Sequence, residues 1–218
     1  MNKKHIKIVA VIIILTLVIG GGLWWCLKIP GFISPIVSHD YYYKIRFATD
    51  IDLYNVTLYI PVSMLNEEVF PIITENDYKV VDTEHGKMIK ITRDTVNSGV
   101  YGGIETKLGM KANHEINTKN PKGNEPLLCP RFNETFREGG SEPEESHNYY
   151  DYQSYIYLTY NASYNASIYL NIWLRGANMH GAMMTWEGNA YSDEVIFELD
   201  SKNGNGWYMV NGTLSVWR

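Results

Sequence analysis

Only two cysteines occur in the 218 residues, Cys26 and Cys129. Cys26 lies in an apolar run and Cys129 in a loop-like stretch, so no disulfide framework is expected and the fold must rest on its own core. Basic charge is also scarce. The 19 lysines and arginines face 24 carboxylates, a net charge of −5, which argues against nucleic acid as a partner because such binding depends on neutralising phosphates. No G-x-S-x-G elbow, P-loop or post-strand G-x-G-x-x-G is present, so no catalytic residue and no cofactor are assigned. His39, His85, His114, His147 and His180 show no metal-ligand spacing, and the His114-Glu115 pair lacks the second histidine of a zincin helix. The oxygen-rich stretches around Asp200, Asn203 and Asn205 and around Glu142, Glu144, Glu145 and Asp151 read as a tight turn and a solvated run, so no metal is expected.

One long hydrophobic run is present. After Lys3, Lys4 and Lys7, residues 8–27 (IVAVIIILTLVIGGGLWWCL) carry no charge, enough to cross a hydrocarbon core of about 30 Å as a helix. Trp24 and Trp25 end it at headgroup depth, and the leading lysines place the N-terminus inside. The run exceeds a usual signal-peptide core, no small-x-small site follows, and Trp25 before Cys26 is too bulky for a lipobox. The expectation is a cytoplasmic segment 1–7, a signal-anchor helix 8–27, a Pro/Gly-containing stalk 28–38, and an extracellular domain 39–218. Lys3, Lys4, Lys7 and Lys28 are the only basic residues before position 38, which leaves 15 bases against 24 acids beyond it, a net −9.

Past the stalk, period-two alternation dominates and no helical period persists over 11 residues. Ile45 and Phe47 alternate with Lys44 and Arg46, and Val56, Leu58, Ile60 and Val62 share one face. Residues 78–92 read as a hairpin turning at Glu84-His85-Gly86, and 194–210 as another turning through Asn203–Gly206. Ile156, Leu158, Ile168, Leu170, Ile172 and Leu174 are the predicted core of a third hairpin, whose tip is NASYNAS. The fold class expected is mainly β, an antiparallel β-sandwich of about eight to ten strands behind one transmembrane helix. Residues 109–148, rich in Asn, Lys, Pro, Glu and Gly, are expected to form a long loop, or a linker between two duplicated halves. An internal echo motivates the second option: SHDYY at 38–42 recurs as SHNYY at 146–150, and YNVTLYI at 54–60 as YNASIYL at 164–170, offset by 108 and 110 residues.

Five sequons lie beyond the apolar run, at Asn55, Asn133, Asn161, Asn165 and Asn211. They mark candidate N-glycosylation sites on an exported surface. Aromatic residues are the remaining candidates: Tyr157, Tyr169 and Trp173 alternate onto the face opposite the predicted core, where flat rings can stack on sugars.

The anchor, the sequons and the run WEGNAYSDEVIFELDSKNGNGWYMVNGTL together resemble uncharacterised methanogen and related archaeal membrane-anchored surface proteins. That resemblance implies surface location and β architecture and carries no catalytic residue. The expectation is a membrane-anchored, glycosylated envelope protein that meets surface-layer or membrane-complex partners without catalysis. The alternative is a carbohydrate-binding or carbohydrate-acting protein that recognises surface glycans through its aromatic face.

Overall fold

The computed structural model describes residues 15–22, 36–73, 78–99, 103–139, 147–182 and 185–217. Of the expected anchor, residues 15–22 form a helix with exposed side chains, and the rest of 8–27 lies outside the described residues. Among the described residues no helix is long and apolar enough to cross a membrane. The expected stalk is shortened at its end, since strand β1 begins at Ile36. By internal contacts the chain divides into one unit of Met1–Ser38 with Met179–Gly188 and a second of His39–Asn178 with Asn189–Arg218.

The second unit is an antiparallel sheet built on long tracks. β1 (Ile36–Thr49) and β2 (Leu53–Leu65) run one after the other along a single edge of β9 (His147–Ala182). Asp50 N–H donates to Ser167 O at 3.3 Å, Tyr54 faces Asn161, and Tyr59 faces Tyr157. The short β3 (Glu68–Val69) folds back on the end of β2, with Val69 opposite Met64. On the far side of β1 and β2 run β6 (Ile104–Lys111), with Phe47 opposite Ile104, and β5 (Gly86–Val96), with Leu53 opposite Val96. β10 (Thr185–Trp217) pairs with β9. Its direction is antiparallel, because Trp173 meets Ser192 while Asp151 meets Thr213. β4 (Lys79–Thr83) covers β5 through the two-residue turn Glu84-His85, closed by Gly86 at φ +113°, as the sequence predicts.

The tracks double back. Tyr43 Oη donates to Pro61 O at 2.7 Å across 18 residues of chain, a span of about 60 Å if the strand were straight. Tyr152 Oη likewise reaches Asp193 Oδ1 at 2.7 Å. The inner faces therefore meet, and between them lie Tyr41, Tyr43, Ile45 and Phe47 of β1, Val56, Leu58, Ile60 and Val62 of β2, and all six predicted core residues of β9. Inward residues of β9 stay at even positions from Tyr152 to Tyr160 and again from Ala166 to Leu174. One strand thus crosses the bend without losing phase.

That continuity corrects two expected hairpins. NASYNAS is a bend in β9 rather than a tip, and Asn203–Gly206 lies within β10 rather than reversing it. Asn and Gly serve bends and bulges as readily as turns. The long-loop expectation for 109–148 is corrected as well: β6 extends to Lys111, and the segment contains β7 (Leu127–Cys129) on β2 and β8 (Phe132–Arg137) on β9. Residues 140–146 lie outside the described residues. Pro61 falls where β2 leaves β9 after Tyr59 and joins β7 from Val62, a place that tolerates a missing amide donor.

The two echoing stretches occupy neighbouring antiparallel tracks. Leu53 faces Ala162 across the ladder, an offset of 109 residues that lies between the two offsets of the echo.

Candidate functional site

The outward residues of β9 before its bend are Asp151, Gln153, Tyr155 and Tyr157, and they carry two adjoining features. The first is a cluster of rings. Tyr157 lies opposite Tyr59 of β2, which itself lies opposite Lys90 of β5. The Tyr59 and Tyr157 centroids are 5.0 Å apart, and Trp207 of β10 closes on both at 5.9 and 5.1 Å. His85, projected by the β4–β5 turn, stacks on Tyr155 at 3.8 Å and meets Trp207 edge-on at 4.6 Å. Phe132 of β8 adds an edge contact to Tyr155 at 5.5 Å and is 40% exposed. Lys90 Nζ stands 5.6 Å from the Tyr59 ring centre, within cation–π range. Five rings from neighbouring strands and the His85 ring from the β4–β5 turn thus form one half-buried surface.

The second feature is a polar groove of about 460 Å³ beside it, where β8, β9 and β10 run together. Its side chains form a grid: Asn133 and Thr135 on β8, Asp151 and Gln153 on β9, Asn211 and Thr213 on β10. Asn133 Nδ2 donates to Gln153 Oε1 at 2.6 Å, and Thr213 Oγ1 donates to Asp151 Oδ1 at 2.9 Å. Arg137 Nε pairs with Asp151 Oδ2 at 2.9 Å. The hydrogen bond from that guanidinium holds the Asp151 carboxyl below the usual range.

Comparison with protein-family models, curated proteins and solved structures finds no match to this chain. The chemistry of the site follows from its residues alone.

The structure separates the three aromatics named from sequence. Tyr157 joins the ring cluster. Tyr169 and Trp173 lie beyond the bend of β9, where Asn171 Nδ2 reaches Tyr169 Oη at 3.4 Å and Trp173 Nε1 donates to Ser192 Oγ at 2.5 Å. Tyr59, Tyr155, Trp207 and His85 complete the cluster instead. Tyr59, Tyr155 and Trp207 point outward in their own strands and His85 stands on the β4–β5 turn, and only the pairing of those strands assembles them.

All five sequon asparagines are exposed. Two also have a conformational reason to be asparagine. Asn55 (φ +52°) and Asn133 (φ +50°) sit in β-bulges, where the ladder slips between Tyr54 and Thr57 and between Phe132 and Thr135. Asparagine tolerates the left-handed region better than most side chains.

Inside the fold, buried polar groups fasten the segment between β6 and β8 to the sheet. Asn178 mimics a strand neighbour, accepting from Ile116 N and donating to Ile116 O at 2.9 and 2.8 Å. Buried Glu125 accepts from Tyr41 Oη and, at 2.6 Å, from Asn117 N. Asp193, fully buried, accepts from Leu128 N at 2.7 Å, Arg131 Nη1 at 2.8 Å and Tyr152 Oη at 2.7 Å. Arg131 lies 3.9 Å from the centre of the Tyr152 ring and also pairs with Glu134 at 3.0 Å. The apolar run Pro126-Leu127-Leu128 inside an otherwise polar stretch is the sequence signal for this anchoring.

Cys129 sits next to this network, and burial pushes its thiol up to about 11. At pH 8 the native thiol should alkylate roughly a hundredfold more slowly than an ordinary protein thiol, because only the thiolate reacts. Iodoacetamide labelling with and without denaturant reads this directly. Equal rates in both conditions would show that the thiol is not held as described.

Proposed function

We propose that this chain is a non-catalytic protein of the cell envelope. An apolar N-terminal segment tethers a folded-over sheet, read as a β-sandwich, on the outer side of the membrane. Its surface is N-glycosylated and meets envelope proteins or surface glycans. One observation carries the reading: five asparagines in the five sequons, all within strands, all direct their side chains to solvent. Alternation would send some of them inward if sequon and exposure were unrelated. The exposed apolar helix at 15–22, with Leu17 at 69% and Val18 at 68%, fits a segment that lies in lipid. The same proposal takes in the resemblance to archaeal membrane-anchored proteins, and a duplicated strand unit whose copies lie on neighbouring antiparallel tracks.

Protease shaving of intact cells tests it. Peptides of 39–218 should be released, with glycopeptides among those carrying Asn161 and Asn165. A domain protected from protease, with all five asparagines bare, would overturn the topology.

A second reading, a surface glycan binder, is favoured specifically by the ring cluster around Trp207. Trp207→Ala should abolish retention on a glycan array while costing about 1–3 kcal/mol of stability. Unchanged retention would remove the cluster from any binding role.

A further inference from the structure

Two sequons, far apart in the chain, share one groove. Asn133-Glu134-Thr135 and Asn211-Gly212-Thr213 each contribute both the asparagine and the threonine to the grid over β9. β8 and β10 pair with the same stretch of β9, so they occupy its opposite edges. Asn133 and Asn211 therefore flank a single strand, about 10 Å apart. We infer that this groove is the seat of the protein's own N-linked glycan, and that it holds one: the first sugar on either asparagine fills the groove and closes off the other.

Three features suit a neutral saccharide. The lining offers amide, hydroxyl and carboxylate groups from all three strands, each able to donate to or accept from sugar hydroxyls. The one charged residue among them, Asp151, is already answered by Arg137. The half-buried rings of Tyr155 and Phe132 adjoin the grid along β9 and β8 and give a leaving glycan an apolar face to lie on. The volume is at the small end of ligand sites, which run to roughly 300–1,000 Å³.

Attachment joins asparagine Nδ2 to the anomeric carbon of a lipid-phosphate-linked saccharide. The lipid phosphate leaves, one amide proton is given up, and a membrane transferase supplies the catalysis. On the folded domain that transferase must approach over the groove. Asn133 Nδ2 must then release Gln153, and a sugar already anchored at Asn211 would stand over the same residues.

The inference rests on the glycosylated-surface reading, and the experiment separates the two. Site occupancy is measured by glycopeptide mass spectrometry on protein from native membranes. In the wild type the occupied fractions at Asn133 and Asn211 should sum to no more than one. Thr213→Ala, which removes the Asn211 sequon, should drive Asn133 toward full occupancy, and Thr135→Ala should do the reverse. Circular dichroism melting of both variants excludes a folding defect as the cause. Fractions that sum to more than one would overturn the inference, as would occupancy at each site indifferent to loss of the other. So would two bare sites on a chain glycosylated at Asn161 or Asn165. Bare asparagines at all five sequons would instead sink the reading beneath it.

Discussion

Arg131→Leu should cost about 3–5 kcal/mol in urea unfolding at neutral pH, because it strands a buried carboxylate. Asp193 has no exposed side-chain area and Arg131 only 12%, so water cannot replace the lost cation. The remaining donors, Leu128 N–H and Tyr152 O–H, solvate the charge without neutralising it. Adding Asp193→Leu should recover only part of the loss, since those two donors would then be buried without an acceptor, at about 1–3 kcal/mol each.

The pH dependence has a definite sign. Burial raises the Asp193 carboxyl above its ordinary 3.8, and removal of Arg131 raises it further. A carboxyl whose folded pKa is raised contributes stability below its unfolded pKa and loses it as pH rises through the folded value. The gap between wild type and Arg131→Leu should therefore widen as pH rises from the folded Asp193 pKa of the wild type to the higher one of the variant, both above 3.8, and be smallest in acid. Exposed carboxylates held low by partners, such as Asp151, weaken both proteins alike in acid and cancel in the difference. A gap below about 1 kcal/mol, or one flat with pH, would mean that Asp193 is not the buried anion described.

Gly103→Ala should be the second severe lesion, at about 3 kcal/mol or more. The residue has φ +95°, and a β-carbon there would lie 2.1 Å from Phe47 O, 3.2 Å from Phe47 C and 3.4 Å from Ala48 Cα. These are backbone atoms of a central strand, held by the pairing of Phe47 with Ile104, so no side-chain rotation relieves the overlap. Gly99 is the internal control: its φ is +107°, but nothing lies within 4 Å of its added β-carbon. Gly99→Ala should lose only the conformational part, about 1–2 kcal/mol. Equal losses for the two variants would refute the close approach of Gly103 to β1.

Much of the fold is legible in the alternation of residues. The pattern in β1, β2 and β9 follows from a sheet with one dry face, and the six inward residues expected in β9 are all buried. The β4–β5 hairpin is legible because a two-residue turn before glycine has few other readings. The expected hairpins at 161–165 and 203–206 fail for a physical reason. Asparagine and glycine report that the backbone departs from regular extension; they do not report whether the strand then returns upon itself or carries on to a new partner. In β9 the unbroken even-numbered phase holds that information, and it is easily lost beside two sequons.

The site is less legible. Tyr157 stands out because it alternates away from the core, but Trp207 and Tyr59 belong to strands, and His85 to a turn between strands, whose neighbours are fixed by pairing over long sequence distances. Tyr169 and Trp173 share the outward parity of Tyr157, yet the bend carries them elsewhere. Glu125, Asp193 and Asn178 look like ordinary surface polar residues, because nothing local marks a charge that will meet its partner across the core.

By itself the sequence determined strand content, the inward set of residues, the scarcity of cysteine and the positions of five sequons, since each depends on residue type and short-range period. Only the tertiary structure decided that two successive strands share one edge of β9, that the long polar segment is pinned by buried charges, and that two distant sequons face one groove. Those depend on which strands become neighbours, and sheet pairing joins residues by register across the whole chain rather than by proximity along it.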